Sequence, residues 1–417
     1  MPSDLVIRGA TVVLPGVVPL PADVAIEGEQ IAAIGHDLQA REEIDARGLH
    51  LFPGVVDAHV HFNEPGRTDW EGWATGSRAL AAGGATACIE MPLNAHPPTL
   101  DGAAFDAKVE AATASSVVDF ALWGGLTPIN LDRLGELAER GVVGFKAFMC
   151  DSGIEDFPAA DDDTLHAGME RAAALGLPVA VHAERPSRLK QPAGSGWRDF
   201  VASRPVEAEL EAIETAIAMA RDTGCELHVV HVSSAAGVEL AARADGVTCE
   251  TCPHYLTLSE DDLERLGTRA KCAPPLRPPH ERESLWRQVR AGRVDLIASD
   301  HSPCPPELKH GSFTAAWGGI AGAQATLGLL LERLPPQAAA ALTAANPARR
   351  FNLPKGRLEP GADADLTLVD LRDRQRQALQ DRHKLSPYAD RPLPRIVRTL
   401  VRGGSPRGRL ITPRRDR

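Results

Sequence analysis

Residues 51–62 read LFPGVVDAHVHF, the first of eight short apolar runs that together decide the fold. The others are 84–92 (GATACIEMP), 118–126 (VDFALWGGL), 141–149 (GVVGFKAFM), 177–184 (LPVAVHAE), 226–234 (ELHVVHVSS), 247–255 (VTCETCPHY) and 294–303 (VDLIASDHSP). Between them lie stretches of helical periodicity rich in Ala, Leu and Glu, among them 71–82, 128–140, 160–175 and 205–223. Strict alternation of strand and helix implies parallel strands, and eight of them predict a closed (β/α)8 TIM-like barrel. Near-continuous apolar strands suit a sheet covered on both faces.

The two ends of the chain have a different texture. Residues 4–35, 356–370 and 394–402 alternate like short strands between Gly and Pro turns. Neither end is long enough for its own core, so both are expected to join in one small β-sandwich. The predicted division is 1–52 with 354–417 as a discontinuous β-sandwich domain, and 53–353 as the barrel.

Barrels of this kind carry their chemistry at the C-terminal ends of the strands. Reading those ends gives His59 and His61 on strand one, Lys146 on strand four, His182 on strand five, His231 on strand six and Asp300 on strand eight. His59 and His61 are two residues apart, so their imidazoles share a face. Four histidines, a lysine and an aspartate on one rim form a two-metal set. Lys146 lies among apolar neighbours, where an ammonium is costly unless paired or neutralised. It either snorkels to the rim or reacts with CO2 to give a carbamate that bridges both ions. Asp300 either caps a helix or serves as a ligand that also accepts a proton; the prolines that follow favour the second reading. Asp57 is expected to orient one of the histidines from behind. His301 should point away by alternation, His228 is read as core, and Cys249 and Cys252 as strand packing. His254, at the end of strand seven, stays open as a further ligand.

Composition narrows the function classes. A net charge of −11 lacks the basic face that a nucleic-acid partner needs. The hydrophobic fraction of 43% supports a sizeable core, and no apolar run of about eighteen residues suggests a membrane span. The start, MPSDLVIRGATVV, has no basic segment leading into an apolar one, so no secretory signal is read. Seven scattered cysteines point to reduced thiols in the cytoplasm. The tail 406–417, PRGRLITPRRDR, is read as a frayed, solvated terminus.

The HVH after an apolar strand, the buried lysine in GVVGFK, the single histidines of strands five and six, and SDH on strand eight resemble the cyclic amidohydrolases. Within that group FNEPGRTDWEGW (62–73), CETCPHYLTL (249–258), SDHSPCPPELK (299–309) and AWGGIAGAQ (316–324) resemble the allantoinase branch. The resemblance covers nearly the whole chain. It implies metal-dependent hydrolysis of the ring amide of allantoin to allantoate, with a carbamylated Lys146 and a homotetramer. Two divalent ions are implied per chain, zinc first, with manganese, cobalt or iron able to bind the same atoms. Asp300 would take a proton from the attacking water and return it to the leaving nitrogen. Asn63, Asn94, Ser302 and Cys304 are substrate-contact candidates. Dihydroorotases carry an arginine where this chain has Asn63, and hydantoinases carry a tyrosine after the lysine, where AFMCDSGIED (147–156) has none. Dihydroorotase, hydantoinase or dihydropyrimidinase activity is the alternative, and a non-catalytic scaffold relative the most distant one. The loops after strands four and five, the latter ERPSRLKQPAGSGW (184–197), are shorter than the family leads one to expect.

Overall fold

Apolar residues at alternating positions fold the first fifty residues into β1 (Ser3–Val12), β2 (Leu20–Glu27), β3 (Gln30–Gly35), β4 (Ala40–Asp45) and β5 (His50–Pro53). The computed structural model describes residues 3–405 and 407–414. Gly54 then carries the chain out of this sheet. A Cβ there would lie 2.1 Å from the Thr86 hydroxyl, so only glycine passes so close to the neighbouring strand.

Beyond it come β6 (Val55–Val60), β7 (Ala85–Glu90), β8 (Asp119–Leu122), β9 (Gly124–Gly125), β10 (Phe145–Phe148), β11 (Val179–His182), β12 (Leu227–Val229), β13 (Val247–Thr251) and β14 (Leu296–Ile297). β8 and β9 are two pieces of one strand interrupted at Trp123. Parallel pairing runs β6–β7–β8 and then β9 through β14 in sequence order. The segment after β14 lies beside β6, where the His61 N–H donates to the His301 carbonyl at 2.8 Å. Helices such as Trp73–Ala82, Gly102–Ser115, Asp162–Ala174 and Val206–Thr223 follow their strands, which makes the architecture TIM-barrel-like. One expected strand is shorter than read. Pro253 occupies the first turn of a helix, Pro253–Thr257, so the run 247–255 divides into strand and helix and His254 leaves the sheet.

β15 (Leu366–Gln375) and β16 (Leu393–Leu400) complete the small sheet, whose order is β16-β15-β5-β1-β2-β3. β1 branches, pairing with β4 over Ser3–Arg8 and with β5 at Thr11 and Val12. Hydrogen bonding joins all seven strands into one branched sheet over a core that includes Ile7, Val24, Ile26, Leu51 and Leu366.

The floor of the barrel corrects another expectation. Residues 407–414 are not frayed: the Phe120 N–H donates to the Arg409 carbonyl at 3.0 Å and the Ile411 N–H to the Phe120 carbonyl at 2.8 Å. Ile411 is buried with Trp123, Phe351 and Leu353 in the cluster that includes the interior residues Val56, Ala58 and Ile89. The charges of the tail mislead because its apolar residues and backbone do the docking; residues 406 and 415–417 lie outside the described residues. Lys355 ties the same region together. Its Nζ reaches Asp119 at 2.5 Å, Asp365 at 2.7 Å and Asp363 at 2.8 Å, with Arg402 also on Asp119. These carboxylates resemble a cation site, and the ammonium already fills it. Lys355→Met should leave buried, uncompensated charge and lower unfolding free energy by about 3–5 kcal/mol. Urea denaturation at neutral pH measures this; a loss under about 1 kcal/mol would mean that solvent replaces the ammonium.

Candidate metal centre

A register shift between Asp57 and Val60 sets the rim of the first barrel strand. Val56 and Ala58 fill the interior below it, whereas His59 and His61 take the inward positions above. Bulges of this kind re-aim side chains beside functional sites. His182 is the last residue of β11, His231 follows β12 and Asp300 follows β14. His231 and Asp300 have φ of 40° and 46°, a left-handed conformation that side chains adopt only when their surroundings hold them.

The hydrogen-bond partners of the imidazoles fix where their protons are. His59 Nδ1 meets the Glu250 carboxylate at 2.5 Å, and His61 Nδ1 meets the Leu93 carbonyl at 2.7 Å. Both partners only accept, so both Nδ1 atoms carry hydrogen, and in its neutral form each ring leaves Nε2 bare. Those Nε2 atoms lie 3.3 Å apart, with Asp300 Oδ1 at 3.3 Å from one and 3.5 Å from the other. Three acceptors therefore face one another with no proton between them. A metal with ligands at about 2.0–2.1 Å in tetrahedral geometry spaces them by about 3.3–3.5 Å, so the triangle fits such an ion.

A second group adjoins the first. His182 Nε2 faces the Glu184 carboxylate at 2.7 Å, which bares Nδ1, and this lies 3.1 Å from His231 Nε2. The His59 and His231 rings are 5.5 Å apart. Lys146 Nζ and His231 Nδ1 are buried without a hydrogen-bond partner. Burial pushes the Lys146 ammonium down to about 7, and the nearest aromatic support is the Phe148 ring at 4.9 Å. Burial likewise lowers His59, His182 and His231, so these rings are neutral and offer lone pairs. Burial alone would raise the Asp300 pKa, whereas positive charge or a hydrogen placed at His59 and His61 draws it well below the carboxylate range.

Two anions that hold the imidazoles were not picked out from the sequence. Burial would raise the pKa of Glu250 and Glu184, yet His59 and His228 hold the first at about 2, and Arg204 with His182 holds the second at about 2. Their signal was a lone carboxylate inside an apolar run, which demands a buried partner. Asp57, expected behind a histidine ring, instead accepts the backbone N–H groups of His59 at 3.3 Å and Ser299 at 3.0 Å. His301 turns away toward Glu71 and Phe62, and His254 lies behind Asp300 with Cys252. None of the seven cysteines is paired with another.

Above the histidines opens a cavity of about 600 Å³. Asn94 and Ser302 line it, whereas Asn63 and Cys304 do not. Asn63 is consumed behind the wall, accepting from Asn94 Nδ2 at 3.1 Å and donating to the Pro303 carbonyl at 3.4 Å. Arg204 and Lys271 bring positive charge to the wall, but both are engaged. Arg204 donates to Glu184, and Lys271 to the Thr314 and Ala316 carbonyls. Gly319 lets the loop over Ser302 close down, since a Cβ there would sit 2.1 Å from the Ser302 carbonyl.

A match to the Amidohydrolase family spans residues 50–406. The allantoinase of Rubrobacter xylanophilus is 54% identical, over 99% of this chain and 98% of that protein. The allantoinase of Deinococcus radiodurans is 49% identical, over 99% of this chain and 100% of that protein. Among solved structures, the L-hydantoinase (dihydropyrimidinase) from Arthrobacter aurescens superposes with a TM-score of 0.93 at 33% identity, covering 98% of this chain and 100% of that one.

Facing acceptors repel until a cation separates them, so chelator-stripped protein should be stabilised when Zn2+ or Mn2+ is returned. The gain is about 2.7 kcal/mol at about one hundred times the dissociation constant. Thermal unfolding against added metal reads it, and His59→Ala or His61→Ala should remove most of the response. An undiminished response in both variants would put the ion elsewhere.

Proposed function

The chain belongs to the amidohydrolase family, and we propose that it hydrolyses the ring amide of allantoin to give allantoate. The observation that carries this reading is the triangle of bare acceptors formed by His59, His61 and Asp300. Such a set serves a divalent ion and little else. Two ions fit the residues, one with His59, His61 and Asp300 and the other with His182 and His231, and zinc suits these nitrogen and oxygen donors. Lys146 would supply further oxygen ligands as a carbamate, formed when its free amine adds to CO2 and releases one proton. Its unpartnered Nζ and the depressed pKa of about 7 support that chemistry. When bound, the ion pair lowers the pKa of water toward neutrality and polarises a carbonyl.

The residues of the chain do the rest. Asp300, held ionised, takes the proton of the attacking water and returns it to the departing ring nitrogen. Asn94 and Ser302 offer an amide and a hydroxyl to the neutral ureido group. Arg204 and Lys271 are already bonded, which favours an uncharged ring over dihydroorotate, whose carboxylate needs a free cation. A hydantoinase is the second reading, supported by the likeness to the Arthrobacter structure. We read residues 53–353 as the catalytic barrel and 1–52 with 354–417 as one discontinuous β domain. We also read the protein as a cytoplasmic homotetramer, a reading supported by the family resemblance and by its unpaired thiols.

Asp300→Asn should keep at least one metal while turnover falls about 100-fold or more, as general acid–base losses do. Wild-type turnover in that variant would remove Asp300 from its role. Lys146→Ala should lose metal and activity, and short carboxylic acids should restore part of both; full metal content without added acid would exclude a bridging carbamate. With equally metal-loaded protein, kcat/KM for allantoin should exceed that for dihydroorotate at least about tenfold, or about 1.4 kcal/mol of transition-state stabilisation. Preference for dihydroorotate or plain hydantoin would reassign the substrate and leave the metal-dependent hydrolase intact.

A further inference from the structure

Below His59, an unbroken path of hydrogen-bonding groups runs toward the opposite end of the barrel. His59 Nδ1 meets Glu250 Oε1 at 2.5 Å, and Glu250 Oε2 meets His228 Nε2 at 3.2 Å. His228 Nδ1 meets Thr248 Oγ1 at 2.8 Å. Arg350 Nε donates to that same threonine oxygen at 2.7 Å, while its Nη1 donates to the exposed Glu226 at 2.5 Å. The path crosses β6, β13, β12 and the helix Asn346–Arg350, and its three central members, His59, Glu250 and His228, are buried.

Donors and acceptors along this path fit together in one order. A guanidinium keeps its protons, so Arg350 donates and Thr248 Oγ1 accepts. The threonine hydrogen can then point at the Leu227 carbonyl, 3.4 Å away and already receiving Arg350 Nη2, or at His228 Nδ1, 2.8 Å away. The shorter contact is the stronger bond. His228 therefore accepts at Nδ1 and carries its proton on Nε2, which it donates to Glu250. The opposite tautomer would aim a bare Nε2 at a carboxylate. Glu250 is left as a double acceptor, receiving His228 on one oxygen and the His59 Nδ1 proton on the other.

We propose that Thr248 and Arg350 are positioning residues for the metal centre, fixing from the far end of the barrel the tautomer of His228 and so the placement of the Glu250 carboxylate that orients His59 toward its ion. The proposal rests on the reading of His59 as a metal ligand, and it adds residues that touch neither metal nor substrate. Removing the Thr248 hydroxyl without changing its shape frees His228 to move its proton to Nδ1. Glu250 then loses one of its two anchors and is free to swing, so His59 is oriented less precisely. Partners behind metal ligands typically alter metal affinity about 10–100-fold, so Thr248→Val should weaken binding at the His59 site by about tenfold or more. Thr248→Ser should restore it.

Two measurements on the full chain decide the matter. Chelator competition gives the zinc dissociation constant of wild type, Thr248→Val and Thr248→Ser. Nitrogen-15 shifts of labelled histidines in the metal-free protein give the tautomers of His228 and His59 directly. Expected are His228 protonated on Nε2 and His59 on Nδ1 in wild type, a mixed His228 and weaker zinc binding in the valine variant, and recovery in the serine variant. A valine variant that is less stable but has unchanged zinc affinity and tautomers would reduce Thr248 to packing and overturn the proposal. If the valine variant fails to fold, the wild-type spectrum alone decides, because His228 protonated on Nδ1 contradicts the relay. If wild type binds no zinc, the metal-centre reading fails separately, and the same spectrum still tests the order of donors.

Discussion

Three lone pairs aimed at one point raise the free energy of a fold until a cation occupies the space between them. His59 Nε2, His61 Nε2 and Asp300 Oδ1 are held in that opposition by partners that do not yield. The Leu93 carbonyl cannot move without its strand-end loop, and Glu250 is clamped between two imidazoles. The backbone of His59 is pinned by Asp57, which also holds Ser299 next to Asp300. A flexible rim would relax by turning one ring away and would bind metal weakly. This rim is preorganised, so an ion meets ligands whose ordering cost was met during folding.

That rigidity originates below the rim. The barrel interior narrows onto Trp123, whose indole N–H donates to the Ala58 carbonyl at 3.2 Å one residue before His59. Phe351 packs edge-on against Trp123 at 5.0 Å and against His228 at 5.4 Å. The same aromatic ring thus steadies the apolar floor and the polar column beneath the metal ligands. Docking of residues 407–414 along β8 seals this floor from outside.

Much of this was legible in the sequence. Strand order followed from apolar runs because parallel strands covered on both faces leave that unmistakable trace. The candidate ligands stood out because polar residues at the ends of such runs have few other uses. What escaped notice depends on distances across the barrel rather than along the chain. Glu250 and His59 are brought together by folding alone, and no spacing in VTCETC announces which imidazole the carboxylate will meet. Pro253 in the same run carried the correct signal, a helix start, but the apolar pattern around it read as strand. The tail misled for the opposite reason, since composition weighs its arginines and overlooks a single isoleucine that fits a hole.

The branched sheet has a consequence for how the chain is made. β5 pairs with β15 through Leu51 and Leu368, partners separated by the entire barrel sequence. During synthesis the first five strands emerge with that edge unpaired and wait until the barrel has been translated. Pairings of such long range form slowly, and an open strand edge invites other chains to pair with it. Crowding of nascent chains and the supply of chaperones will therefore govern the yield of folded protein more than the stability of the finished barrel does.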